Sequence, residues 1–128
     1  MSKQIIESKK VPAPIGPYSQ AVIANGFLFA SGQVAFDPKT GALVLSDIAS
    51  ETKQVMENIK SILEAAELTF AHVIKTTIFL SDMGLFAQVN EVYGSYFSKD
   101  FPARETVAVK TLPRNVNIEI SITAVVNL

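Results

Sequence analysis

The chain has 128 residues, 48% of them apolar, and a net charge of −1. That length suits one domain, residues 1–128, with a real core, and the slightly acidic balance argues against nucleic-acid binding, which needs a basic footprint. No cysteine and a single histidine, His72, exclude disulfides, thiolate catalysis, cysteine-ligated metals and histidine clusters.

Residues 1–10 are polar and lack the apolar segment of a signal peptide, and no run approaches the ~18 apolar residues of a membrane span. The expectation is a cytoplasmic protein without a membrane partner. A mean hydropathy of +0.30 is high for a small chain with amphipathic helices, and points to surface kept for a second copy.

Residues 11–17, VPAPIGP, hold three prolines and a glycine and read as an irregular, extended approach. Asn25-Gly26 between two apolar runs is a hairpin signal, because both residues tolerate positive φ, and it predicts strands at 19–24 and 27–33. DPKTGAL is a second turn region. From Asp47, a helix cap, the period becomes helical: Ile48, Thr52, Val55, Met56, Ile59, Ile62, Leu63 and Ala66 form a stripe. Glu51, Lys53, Glu57, Lys60 and Glu64 fall outside it. A buried, β-branched strand follows at 73–80, then a helix over 82–97 with Phe86, Val89, Tyr93 and Phe97 on one face. After Pro102 come strands at 105–110 and 116–126, the last strictly alternating. This order predicts an α+β fold, a mixed sheet with two helices packed on one face.

Two residues stand out chemically. Arg104 is a permanent cation at the mouth of an apolar strand, and Glu119 is a carboxylate within another. A solvated strand end and a solvent-exposed polar face explain each of them in isolation. Adjacent antiparallel strands could instead bring both to one face. An arginine fork would then grip a substrate carboxylate, and a nearby glutamate would orient or deprotonate a water. Glu105 would point the other way. Ser31-Gly32-Gln33 is either a strand-end turn or a place where a ligand approaches the backbone. Tyr18 reads as a pocket wall or a core tyrosine, Asn90 as a ligand contact or a helix-face amide, and His72 as structural. Glycine-rich phosphate loops and local metal-ligand spacing are both missing.

In fixed order, IGPYSQAV, ASGQV, ASETKQVMENIKSILEAAEL, VIKTTIFLSDM, FAQVNEVYGSYF, FPARETVAV and VNIEISITAV resemble the RidA family, also called YjgF/YER057c/UK114. The resemblance implies a chorismate-mutase-like fold and a homotrimer with a barrel-like core and active sites in inter-subunit clefts. It also implies 2-iminobutanoate/2-iminopropanoate deaminase activity, which hydrolyses enamines and imines to 2-keto acids and ammonia without cofactor or metal. Carried over by motif, Arg104 of FPAR is the carboxylate clamp and Glu119 of IEI positions the attacking water. Tyr18 of GPY, Ser31 and Gly32 of SGQ, Asn90 of the VN pair and Thr106, through its backbone, line the pocket. The chain has Glu105-Thr106 where members similar to the bacterial deaminases often carry Ser-Cys, and Ser121 where a second glutamate is frequent. The alternative function is a non-catalytic trimer whose clefts bind a small carboxylate metabolite.

Overall fold

In a computed structural model, which describes residues 2–128, the chain forms six strands and two α-helices. In chain order these are β1 (Gln4–Ile6), β2 (Ala21–Ala24), β3 (Phe27–Gln33), α1 (Ile48–Ala65), β4 (Val73–Leu80), α2 (Phe86–Gly94), β5 (Ala103–Ala108) and β6 (Ile118–Val125). The strands make one sheet in the order β1-β2-β3-β6-β4-β5. Every pairing is antiparallel except β4 with β5. Both helices lie on one face, which is the expected α+β architecture. No helix among the described residues is long and apolar enough to cross a membrane.

Local chemistry explains most of the elements. Asn25 and Gly26 take φ of 55° and 84°, the left-handed pair that a two-residue hairpin between β2 and β3 requires. Asp47 caps α1 by accepting the Ser50 backbone N–H at 2.7 Å. The stripe of Val55, Met56, Ile59, Ile62 and Leu63 is buried in one cluster with Ile118, Ile120, Ile122 and Ala124, the inward half of β6. Asn58 fastens α1 further by donating to the carbonyls of Val34 and Phe36.

The structure departs from expectation where tertiary contacts decide. β1 lies in the stretch read as a polar terminus, because pairing with β2 orders only three residues there. The buried Gln20 side chain secures the return: it accepts the Ser8 N–H at 2.7 Å and donates to the carbonyls of Ser8 and Pro12. The helix expected over 82–97 splits into a 3-10 turn, Met83–Leu85, and the shorter α2. Asp82 caps that turn through the Gly84 N–H. β5 begins directly after Pro102, so Arg104 lies inside the strand. β6 begins at Ile118, which makes Glu119 its second residue.

Glu51 is the sharpest difference. Expected on the polar side of α1, it is fully buried. Its carboxylate accepts from the Asn117 N–H and Asn117 Nδ2, both at 2.8 Å, and from the Ile118 N–H at 3.3 Å. A buried carboxylate needs such donors. They come from a segment 66 residues away, so the periodicity of α1 carries no trace of them.

Candidate functional site

Arg104 and Glu119 do not sit on adjacent strands. β4 separates β5 from β6, so the juxtaposition expected within one chain is corrected by the sheet order. Register sharpens the correction. Arg104 pairs with Thr76 and Thr76 with Ile122, a row on the helix-covered face. Glu119 pairs with Phe79 and Phe79 with Val107, a row on the helix-free face. Paired residues share a face and successive residues alternate. The two side chains of one chain therefore project from opposite sides of the sheet.

On the helix side, Arg104 donates from Nη1 to Asn90 Oδ1 at 2.7 Å. Its guanidinium lies over the rings of Phe86 and Tyr93, 5.4 and 5.2 Å from their centroids. The Tyr93 hydroxyl pairs with Thr76 Oγ1 at 2.8 Å, and burial pushes the phenol up. Asn90, Tyr93, Gly94, Phe101, Pro102 and Arg104 line an open groove of about 520 Å³. Thr106 lies two residues along the same face, its hydroxyl buried without a partner. β5 is an edge strand, and Val109 donates its N–H to the Leu80 carbonyl. In a parallel ladder alternate residues bond one neighbour. The main-chain groups of Arg104 and Thr106 thus turn to the open edge, beside the guanidinium.

The remaining sequence-predicted residues gather around β3 and β6. Ala30 pairs with Ile122 but Gln33 with Ile120, so Ser31 and Gly32 bulge against Ser121 alone. The SGQ segment is a bulge inside a strand, not a strand-end turn. Ser31 is committed to the fold: its N–H donates to the Gln20 carbonyl and its hydroxyl to the Ser19 carbonyl at 2.7 Å. Gly32 lies against Glu119, and a Cβ there would overlap the carboxylate. Glu119 is half-buried, and desolvation raises its carboxyl above the ordinary range. Tyr18 is 55% exposed, which overturns the core reading. With Lys3, Ser31, Val22 and Phe29 it borders an open groove of about 610 Å³.

Glu105 faces away from Arg104, as alternation predicts. Lys75 Nζ lies 3.0 Å from it and Thr77 Oγ1 donates at 2.8 Å; the lysine contact leads in holding its carboxyl below the usual value. Glu105, Thr77 and Ser121 occupy one cross-strand row on the same face, with Thr77 between the carboxylate and the serine. His72 serves the fold: its Nδ1 accepts the Thr69 N–H at 3.1 Å in a capping box. Sequence reasoning missed the contact of Phe86 and Tyr93 with Arg104, and read both only as a helix face. Their tie to Arg104 is a contact between elements.

A family profile described as Endoribonuclease L-PSP matches residues 8–126. The chain belongs to this family, the RidA family. Human 2-iminobutanoate/2-iminopropanoate deaminase is 43% identical over 96% of this chain and 90% of its own. A solved structure of a conserved Rid-family protein from Yersinia pestis superposes with a TM-score of 0.94 at 46% identity, covering 97% of this chain and 99% of the other. That of E. coli TdcF with bound serine superposes with a TM-score of 0.90 at 38% identity, covering 95% and 98%. RidA relatives thus carry names from two activities, imine deamination and RNA cleavage.

Proposed function

We propose that the protein is a homotrimeric, cytoplasmic hydrolase that deaminates small 2-imino acids, one domain per chain, with each site completed across a subunit boundary. The observation that carries this reading is the placement of Arg104 and Glu119 on opposite faces of one sheet. A single chain offers a carboxylate clamp without a base and a base without a clamp. A second copy docked on the helix-free face joins its neighbour's Arg104 to the first copy's Glu119, Gly32, Ser31 and Tyr18.

Arg104, with Asn90 and the free Thr106 N–H, holds the carboxylate of the 2-imino acid and turns its C=N carbon toward a water on Glu119. Burial makes the Glu119 carboxylate a better base than a solvated glutamate. It takes a proton as water oxygen adds to carbon, which gives a carbinolamine. Proton transfer to nitrogen then releases ammonia and leaves the 2-keto acid. Imines hydrolyse readily, so orientation and one proton shuttle suffice, and none of these steps draws on a metal or cofactor. The human relative's name and the serine bound to TdcF support a small amino-acid-like ligand. RNA cleavage is the weaker reading: net charge is −1 and the only histidine is engaged in a cap.

The test mixes two inactive variants. Arg104→Ala and Glu119→Gln chains, each assayed by trapping free imine with semicarbazide, are expected to lose turnover. Co-refolded together, they form mixed trimers with some intact sites, about a quarter of parental activity for random assembly. Absence of rescue, with mixed trimers demonstrated by mass, sinks the shared site. Retention of activity by Arg104→Ala sinks the clamp. A ligand-binding protein without catalysis would show 2-oxobutanoate binding and no turnover in the parent.

A further inference from the structure

Arg104 is held entirely by uncharged groups. The only ion pair among the described residues joins Lys75 and Glu105, on the opposite face. Around Arg104 stand an amide oxygen, two aromatic rings and the open groove. An acidic partner would fix an arginine more firmly, but it would also occupy the fork and cancel the charge that a carboxylate ligand needs. Aromatic faces attract the cation through their quadrupole and leave its N–H edges free.

The rings are placed by one helix. Phe86, Asn90 and Tyr93 follow one another at four and three residues along α2, the spacing of a single helical face. Tyr93 is 4% exposed and tied through its hydroxyl to Thr76, which is 1% exposed. Thr76 in turn stands in register with Arg104 on the neighbouring strand. A closed path runs from sheet to helix to guanidinium and back to the sheet. A free arginine side chain would lose much of its rotamer freedom on each binding event; this one is already ordered.

We propose that Phe86 and Tyr93 are positioning residues, an uncharged aromatic cradle that presents the Arg104 fork to the ligand carboxylate. This rests on Arg104 being the carboxylate anchor. The cradle acts on binding through arginine orientation, and touches the ligand at no point that the mechanism requires.

The experiment measures 2-oxobutanoate affinity by calorimetry, imine hydrolysis, and Tm for the full-length parent, Arg104→Ala, Phe86→Leu, Phe86→Met and Phe86→Tyr. Arg104→Ala is expected to abolish binding. Phe86→Leu and Phe86→Met are expected to raise Kd and KM about three- to tenfold at a nearly constant kcat. Phe86→Tyr, which keeps the ring, is expected to bind like the parent. A purely structural role for Phe86 would lower Tm and the active fraction while the folded protein kept its Kd, and that pattern overturns the proposal. So does equal weakening by Phe86→Tyr and Phe86→Leu, since the ring face would then be irrelevant. If Leu and Met variants both fail to fold, the Tyr variant decides: it keeps a ring over Arg104, so parental Kd upholds the cradle and a Kd raised about threefold or more overturns it. Parental binding by Arg104→Ala overturns the anchor itself, an outcome separate from parental binding by Phe86→Leu, which overturns the cradle alone.

Discussion

Glu119 shows what burial does to a single group. Its carboxyl sits above the ordinary value of 4.5 because the charged form is desolvated. Over the pH window just above that value, the folded chain keeps a proton that the unfolded chain has released. Stability therefore falls as pH rises through the window, and ionised Glu119 remains a cost at neutral pH. Glu119→Gln should melt higher than the parent at about pH 7, with the gap closing below about pH 4. Melting curves at the two pH values check this. A lower Tm for the variant at neutral pH would show that the neighbour's Arg104, which the proposed site brings toward Glu119, outweighs that desolvation. Gly32 belongs to the same scale: the carboxylate occupies the space that any side chain at that position would take.

Among the elements, α1 carries an unusual burden in its first turn. Glu51 joins it to the start of β6 through three accepted hydrogen bonds, and places a negative charge where the helix dipole favours one. Glu51→Ala removes the acceptor and leaves buried donors unpaired, each costing about 1–3 kcal/mol. The expected loss is about 3 kcal/mol or more, read as a lower urea midpoint. Glu51→Gln should cost less, about 1–2 kcal/mol, because one amide oxygen still accepts. A surface-like response below about 0.5 kcal/mol to Glu51→Ala would contradict the clamp. The periodicity of α1 was readable from the stripe that runs from Ile48 to Ala66. The inward turn of Glu51 was not, because its partners belong to the opposite end of the chain.

For the whole molecule, the helix-free face is the feature to explain. Ile5, Val22, Phe29 and Thr123 form one row across four strands, and Phe27 and Val107 lie on the same face. Ile5 is 53% exposed, Phe29 47% and Val107 44%, a concentration that a monomer rarely leaves uncovered. In the proposed trimer these residues meet a second copy. Phe29→Glu buries a charge in that contact without disturbing the helix-side core, so it should yield a folded monomer by light scattering. The monomer should lose imine hydrolysis, because the proposed site takes its two halves from different chains. A Phe29→Glu monomer with parental turnover would show that the halves do not need each other.

The sequence by itself determined the family, the α+β class, the Asn25-Gly26 hairpin, the Asp47 cap and the buried stripes. Each is written in local spacing or in short motifs, where backbone sterics and periodic burial act within a few residues. It also named Arg104 and Glu119 as the two groups with chemistry to offer. Only the tertiary structure decided where they point. Strand order is a long-range property: β4 enters between β5 and β6 because parallel pairing with β5 and antiparallel pairing with β6 satisfy both of its edges. That insertion, together with strand parity, sends the arginine and the glutamate to opposite faces, and no pattern within either strand carries that information.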